Sequence, residues 1–186
     1  GWFKLRSTPS GALPTDADLI RPVVNGIPGT SMPGFGDVLN ESQRRDVVTH
    51  IKTFTKLFEE EEILPAVKLT QEVPVSEESL ARGKQLFADI ECNSCHGTSG
   101  RANGESAPTL KDEWKLPIRP ANLTKPWTFR NGSSPQDLFR TLMTGLTGSP
   151  MPSFADVFEV EEDEEDEEDE DAEEDEPPPN IWDLIN

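Results

Sequence analysis

The chain has 186 residues, enough for one or two small domains, and a formal net charge of −19 at pH 7. Only 33% of the residues are hydrophobic, and no run approaches the roughly 20 apolar residues that a membrane-spanning helix needs. The acidic balance argues against nucleic acid as a partner, because phosphate backbones are bound mainly by lysine and arginine.

The first predicted elements are a short helix, a glycine-rich turn and a methionine-proline loop, within residues 18–38. Asn40 then predicts the start of a second helix, since its side chain can form a capping box with Gln43. His50 lies within this helix, and we expect it to be a surface or packing residue rather than a ligand. The predicted buried stripe of the helix consists of Val47, Val48, Ile51, Phe54 and Leu57.

A linker is predicted next, because a glutamate run at residues 59–62 is followed by the stretch from Pro65 to Pro74. The linker divides the chain into a first domain at 1–60, a linker at 61–75 and a second domain at 76–186. Ser76 is the predicted N-cap of the next helix. The helical repeat that follows comprises Leu80, Gly83, Leu86, Phe87 and Ile90.

Cys92, Cys95 and His96 then form the motif C-x-x-C-H, the attachment signature of a c-type haem. Two thiols three positions apart on a helical turn can add to the two vinyl groups of one porphyrin, and the histidine then faces the iron from the same side. The alternatives are a redox pair followed by a chance histidine, which needs a βαβ context, and half of a zinc site, which needs two more ligands. The motif favours thioethers at Cys92 and Cys95 and makes His96 the proximal ligand.

Three methionines are available as the second axial ligand; Met/His ligation raises the reduction potential of a haem. Met151 lies between Pro150 and Pro152, which stiffen the backbone and exclude helix. A rigid loop can hold the sulfur at a fixed place, so we predict Met151 as the ligand. The alternative is a core methionine that fills a gap, which suits Met143 in its amphipathic run.

The chain also matches itself at an offset of 119 residues. Repeated identities at a fixed offset indicate two copies of one structural unit. Two copies of a Met-Pro loop are hard to explain by packing alone, so Met32 is a second candidate haem ligand. The matching pairs are Asp18/Asp137, Leu19/Leu138, Arg21/Arg140, Gly26/Gly145, Gly29/Gly148, Met32/Met151, Pro33/Pro152, Phe35/Phe154, Asp37/Asp156 and Val38/Val157.

Through the motif at 92–96 and the loops at 26–35 and 145–154, both halves resemble class I cytochrome c domains. The chain resembles a tandem, dihaem c-type cytochrome of bacterial respiratory chains. The resemblance implies an all-α fold of two cytochrome c-like domains, the first incomplete, with a close helix crossing at Gly83. It also implies an extracytoplasmic, for example periplasmic, location and a proline carbonyl against the proximal histidine, for which Pro108 is the candidate.

The prolines between the C-x-x-C-H motif and Met151 imply, by the same resemblance, a segment that wraps the haem edge. Three side chains on it, Arg119, Trp127 and Arg130, could reach the haem propionates. Ordinary surface packing is the alternative for each of them.

The first copy contains no C-x-x-C-H motif. By the repeat offset its attachment site would lie roughly two dozen residues before Gly1. We expect the sequence to lack an N-terminal part that carries this motif and binds a second haem; the alternative is a degenerate domain that has lost its haem. At the other end, the helix that begins near Trp182 has about one turn, and we expect it to continue, because short isolated helices are marginal.

An acidic insert at residues 159–179 separates the second Met-Pro loop from that helix. Residues 159–176 supply −16 of the net charge, and such a block repels itself and is predicted to be disordered. It is either a solvating loop or a docking arm for a basic redox partner, since opposite charges speed encounter.

The sequence thus favours an electron carrier rather than an enzyme, with haem c as cofactor and redox proteins as partners. One alternative is a cytochrome c subunit or module of a larger, membrane-bound respiratory oxidoreductase complex. Another is a haem enzyme or sensor with an open coordination site, which requires that Met151 does not bind iron.

Overall fold

The computed structural model describes residues 3–158 and 179–186. Within these ranges the secondary structure is helical, with one isolated bridge between Lys111 and Pro117. This confirms the predicted all-α class, while the predicted acidic insert lies outside the described residues except for Pro179. The helices are α1 (Asp16–Asn25), α2 (Glu41–Lys52), α3 (Leu57–Glu60), α4 (Glu77–Asp89), α5 (Cys92–His96), α6 (Pro135–Thr144), α7 (Ala155–Phe158) and α8 (Ile181–Ile185), with 3₁₀ turns at Ala107–Thr109 and Pro126–Thr128.

Helices α1 and α2 form the core of the first copy. The predicted capping box of α2 is confirmed, since the Gln43 amide donates to Asn40 Oδ1 at 3.0 Å and the Asn40 amide to Gln43 Oε1 at 2.9 Å. The predicted buried stripe is wrong at Phe54, which is 72% exposed, because α2 ends at Lys52. The buried apolar residues here are Leu13, Leu19, Val23 and Val48.

Helix α4 crosses the C-terminal helix α8 at Gly83, as predicted. A side chain at Gly83 would overlap the carbonyl oxygen of Asp183, so the two backbones are in direct contact. The buried residues of α4 are the small Ser79 and Gly83, whereas Leu80 of the predicted apolar face is 47% exposed. Close backbone approach therefore replaces apolar side chains at this crossing.

The core of the second copy is a cluster of Phe139, Met143, Ile181 and Trp182. Met143 is 6% exposed, which confirms it as a core methionine. Trp182 stacks on Phe139 with ring centroids 5.2 Å apart, and its indole N–H donates to Thr70 Oγ1 at 2.8 Å. The single turn of α8 thus supplies two of the four cluster members.

Among the residues that the structure describes, none of the helices has the length and apolar character that crossing a membrane requires.

Candidate haem site

Helix α5 presents all three residues of the C-x-x-C-H motif from a single turn. Glu91, just before it, has left-handed backbone angles (φ 57°), and Gly97, just after it, also has a positive φ of 77°. These two bends isolate a five-residue helix. Cys92, Cys95 and His96 therefore leave the backbone within one turn, as attachment to one porphyrin requires.

The following loop satisfies carbonyl groups that so short a helix leaves without partners. Amide groups of Ala102, Gly104 and Ser106 donate to the carbonyl oxygens of His96, Cys95 and Ser94 at 2.8, 3.2 and 2.9 Å. A side chain at Gly104 would overlap the carbonyl oxygen of Ser94. Glycine at this position thus allows the loop to fix the helix.

Both cysteines are free thiols and half-buried. Burial raises the pKa of Cys92 to about 11, with a smaller contribution from nearby Cys95. Cys92 is therefore a protonated thiol at neutral pH. Within the described ranges, no group of three or more His, Cys, Asp or Glu side chains is placed to hold a metal ion.

The imidazole of His96 is oriented by a backbone carbonyl. Its Nδ1 lies 2.9 Å from the carbonyl oxygen of Ala121, and because a carbonyl only accepts, Nδ1 carries the proton. The other nitrogen, Nε2, keeps its lone pair for a metal. A hydrogen bond of this kind fixes the ring and raises the basicity of the ligand nitrogen.

This finding corrects the prediction that Pro108 supplies the carbonyl. Pro108 lies in the 3₁₀ turn Ala107–Thr109, whereas the segment around Ala121 returns to the motif. The Leu123 amide donates to the carbonyl oxygen of Gly100 at 2.7 Å and fastens that segment beside His96. The sequence gives no signal for Ala121, since any residue carries a carbonyl group.

The Met151 loop begins where α6 ends at Gly145, which has a φ of 64°. The Leu146 amide donates to the Met151 carbonyl at 3.0 Å, and the Phe154 amide returns to the Leu142 carbonyl of α6 at 2.8 Å. Met151 itself is half-buried. One bond thus closes the loop on itself, and the other ties its end to α6.

Residues 111–118 connect this loop to the rest of the site. The Glu113 amide lies 3.4 Å from the Gly148 carbonyl oxygen, and the Ile118 amide donates to the Leu110 carbonyl at 3.1 Å. The segment therefore forms a small turn that contacts the methionine loop on one side and leads toward Ala121 on the other.

The residues of the second copy fit a haem. Two thiols and an imidazole nitrogen leave one helical turn, and a thioether sulfur lies on a rigid loop. The segment between them exposes large apolar side chains, which is typical of surfaces that bind a ligand or partner. They are Trp114 (68%), Leu116 (59%), Leu123 (37%) and Trp127 (68%). Arg119 and Arg130, predicted to reach the propionates or to pack on the surface, are exposed.

The first copy holds Met32 in an equivalent loop, where the Ile27 amide donates to the Met32 carbonyl at 3.1 Å. Met32 is 36% exposed. Arg6, which no sequence pattern singles out, is 2% exposed, and its Nε and Nη2 have no hydrogen-bond partner among the described residues. Burial lowers the pKa of Arg6, with an opposing contribution from Asp18. An arginine buried in this way fits an anionic group such as a carboxylate.

Comparisons with known proteins agree with this description. The profile of the family described as cytochrome c oxidase, cbb3-type, subunit III matches residues 78–167. The cbb3-type cytochrome c oxidase subunit FixP of Sinorhizobium medicae is 32% identical over 85 residues, which are 45% of this chain and 24% of that protein. The chain thus spans about a quarter of that relative's length.

Among solved structures, a chain of the reducing HAO-like protein complex of Kuenenia stuttgartiensis is similar over all of this chain. The TM-score is 0.82 and the sequence identity 35%, and the match covers 76% of that chain. This similarity extends across both copies of the repeat, whereas the family profile matches only the second half.

Proposed function

The chain belongs to the c-type cytochromes, and we propose that it transfers single electrons through a haem attached at Cys92 and Cys95, with His96 and Met151 as axial ligands. Members of this family are electron carriers with covalently bound haem. The observation that carries the proposal is the single turn of α5, whose two thiols accompany an imidazole with its Nδ1 proton bound to Ala121.

The residues of the chain have distinct tasks in this proposal. Cys92 and Cys95 hold the cofactor, and the Ala121 carbonyl keeps His96 in the tautomer that leaves Nε2 free. The bound haem supplies one-electron chemistry between ferric and ferrous iron. The backbone bonds that tie the Met151 loop to α6 support a ligand that stays in place in both oxidation states.

We further propose that the first copy binds a second haem through Met32, with the thiols and proximal histidine supplied by a segment outside this sequence. Two observations support this. Most backbone hydrogen bonds of the Met32 loop have an equivalent in the Met151 loop. The buried guanidinium group of Arg6 has free donors that a haem propionate would satisfy.

The relatives suggest the setting of this activity. Their names describe an oxidase subunit and a protein complex, so we propose that the chain works as a cytochrome c subunit of a larger respiratory oxidoreductase complex. The proposed location is extracytoplasmic, and the proposed partners are redox proteins. The acidic residues 159–176 offer a block of negative charge that a basic surface on such a partner would recognise.

The test is the denatured intact mass of the protein isolated from its native host, together with a haem count. The expected result is covalent haem that survives denaturation, with one haem per chain fewer in a Cys92→Ser/Cys95→Ser variant. Two haems per chain are expected if the first copy is also loaded. One haem and a mass of 20.6 kDa plus that haem would reduce the protein to a monohaem carrier, and no covalent haem would refute the proposal.

A further inference from the structure

The two copies are joined by a charged contact that the internal repeat does not explain. Arg21 of α1 donates through Nη1 to Asp137 Oδ1 of α6 at 2.9 Å and through Nη2 to Asn131 Oδ1. Asn131 is 7% exposed, and its own amide donates to Thr141 at 2.9 Å. The forked guanidinium group thus contacts the second copy at two side chains, one of them buried.

The repeat makes this pairing unexpected, because Arg140 occupies the position of Arg21 and Asp137 that of Asp18. In the second copy Arg140 pairs with Asp137 of its own helix at 2.8 Å. In the first copy Asp18 Oδ2 instead accepts hydrogen bonds from Thr15 and from the Ser7 hydroxyl at 2.9 Å. Arg21 is therefore directed to the carboxylate of the other copy.

A second contact brings the Met32 loop itself against the second copy. A Cβ atom on Gly29 would lie 2.9 Å from the carbonyl oxygen of Thr128, in the 3₁₀ turn Pro126–Thr128. Gly29 also has a positive φ of 70°. The turn that carries the first methionine therefore packs against the second copy more closely than a side chain would permit.

From Thr128 a short chain of bonds leads to the proximal histidine. The Thr128 amide donates to the Lys125 carbonyl at 2.9 Å, and the Lys125 amide donates to the Asn122 carbonyl at 3.0 Å. The neighbouring residue is Ala121, whose carbonyl binds His96 Nδ1. The segment that orients His96 is thus the one that the Met32 loop touches.

The predicted linker adds a third attachment. The Val67 amide donates to the Ser7 carbonyl at 2.7 Å, and the Val67 and Val73 side chains pack on the core cluster of the second copy. The linker is therefore bound to both copies along its length. Three independent contacts hold the copies in one arrangement.

We propose that the contact between the turn around Gly29 and the turn Pro126–Thr128 is the junction across which electrons pass between two haem sites, and that Arg21 is the positioning residue that holds it closed. This inference rests on the proposed second haem. One electron leaves the reduced centre and is accepted by the oxidised one, and no bond forms or breaks. Arg21 contacts neither proposed set of haem ligands, so it acts only through the geometry of the junction.

The test compares Arg21→Ala with Arg45→Ala in the haem-loaded protein isolated with its full native chain. Arg45 pairs with Glu41 within α2 and is exposed, so its loss controls for removal of a surface charge. We expect Arg21→Ala to slow electron transfer between the haems severalfold after rapid photoreduction of one of them. The absorption spectrum and midpoint potential of each haem should stay unchanged. Denaturation should change from one cooperative transition to two.

A second pair of variants tests the junction without a charge change. Gly29→Ala places a methyl group against Thr128, whereas Gly11→Ala also substitutes a glycine with positive φ (85°) but has open space around it. We expect only Gly29→Ala to slow the transfer. If Arg21→Ala separates the unfolding transitions but neither Arg21→Ala nor Gly29→Ala alters the rate, Arg21 is merely structural and the proposal is wrong. A count of one haem would instead refute the second haem, and the junction with it.

Discussion

The two methionine loops share most of their backbone hydrogen bonds but have different surroundings. In each, a helix ends at a glycine with positive φ, Gly26 or Gly145, and two amide-to-carbonyl bonds fix the turn and the return to the helix. The matching bonds are Ile27–Met32 (3.1 Å) with Leu146–Met151 (3.0 Å), and Phe35–Val23 with Phe154–Leu142 (both 2.8 Å). Repeated sequence thus reproduces local geometry closely, even where neighbouring elements differ.

The packing of the two loops on their helices differs at the residue that follows the Met-Pro pair, which is Gly34 in the first loop and Ser153 in the second. In the first loop Gly34 lies so close to α1 that a Cβ atom would be 2.6 Å from the Val24 carbonyl oxygen. In the second loop Ser153 occupies this position, and its hydroxyl donates to the equivalent carbonyl, that of Met143. The first loop is pressed against its helix, whereas the second is spaced from it by a side chain. One position that differs within the repeated loop therefore changes how each methionine loop packs on its helix.

Substitution of the two loop methionines should give the largest effect, a change in the spin state and reduction potential of the haems. Met151→Ala is expected to change the haem at Cys92 and Cys95 from low-spin to high-spin or ligand-accepting and to lower its potential, within the span of about 0.8 V that axial ligands control. Met32→Ala should do the same to the haem of the first copy alone. Optical spectra and redox titration of each variant measure both effects.

Met143→Leu is the matched control, since Met143 is a buried core residue whose volume leucine conserves. It should leave both spectra unchanged. An unchanged spectrum in Met151→Ala would remove Met151 from the site and favour another ligand or an open position. An unchanged spectrum in Met32→Ala with two haems present would break the functional equivalence of the loops.

Alanine at the glycine that ends each helix should destabilise both copies to a similar extent. Gly26 and Gly145 have positive φ, and a Cβ atom on either would lie 2.6 to 2.7 Å from backbone atoms of its own loop. Conformational strain and overpacking together should lower the free energy of unfolding by about 3 kcal/mol. Gly11→Ala, which has a positive φ but open space, should cost only about 1–2 kcal/mol. Chemical denaturation measures the free energy of unfolding of all three variants. Equal losses in Gly11→Ala and Gly145→Ala would show that overpacking against the loop backbone does not contribute.

These comparisons also indicate how far sequence reasoning reaches. Local chemistry was predictable: the capping box at Asn40, the N-cap at Ser76 and the helical turn of C-x-x-C-H depend on neighbouring residues. The crossing at Gly83 was predictable only through the resemblance to a family. By contrast, the helical spacing predicts Phe54 in a buried stripe, and spacing alone does not reveal that α2 ends at Lys52.

Long-range partners were the part that could not be predicted. Ala121, rather than Pro108, meets His96 because the segment around Leu123 is bound back to Gly100, and no pattern encodes that bond. The repeat shows only that Arg21 and Arg140 occupy equivalent positions. It does not show that Arg21 pairs with Asp137 of the other copy. The burial of Arg6 follows from three-dimensional packing alone.

Removal of the Ser153 hydroxyl should have a smaller effect, confined to the second copy. Ser153→Ala loses the bond to the Met143 carbonyl and the acceptor for the Ala155 amide at 3.1 Å, which should cost about 1 kcal/mol. Ser99→Ala, at an exposed position after the haem motif, should cost little. Thermal unfolding compares the two variants, and an equal change in both would show that the hydroxyl does not hold the second loop.

Alkaline pH should produce the smallest effect and should again distinguish the copies, because both cysteines of this sequence lie in the second. In the haem-free polypeptide, burial raises the pKa of Cys92 from an ordinary 9.0 to about 11, so folding favours the neutral thiol. This contribution to stability is fully present below about pH 9 and is lost as the pH rises through about 11. It is modest, because the partly exposed thiol is screened by solvent.

Denaturation of the haem-free chain between pH 7 and 11, compared with Cys92→Ser, measures this loss. The variant should lose less stability over the alkaline range than the parent chain does. Alkylation of Cys92 should be slower than in denatured chain at pH 8, since the thiolate is the reacting form. Both differences should vanish once haem occupies the site, because a thioether sulfur has no proton to lose. Persistence of the alkaline difference in the haem-loaded protein would mean that the Cys92 thiol is still free and that it is not an attachment point.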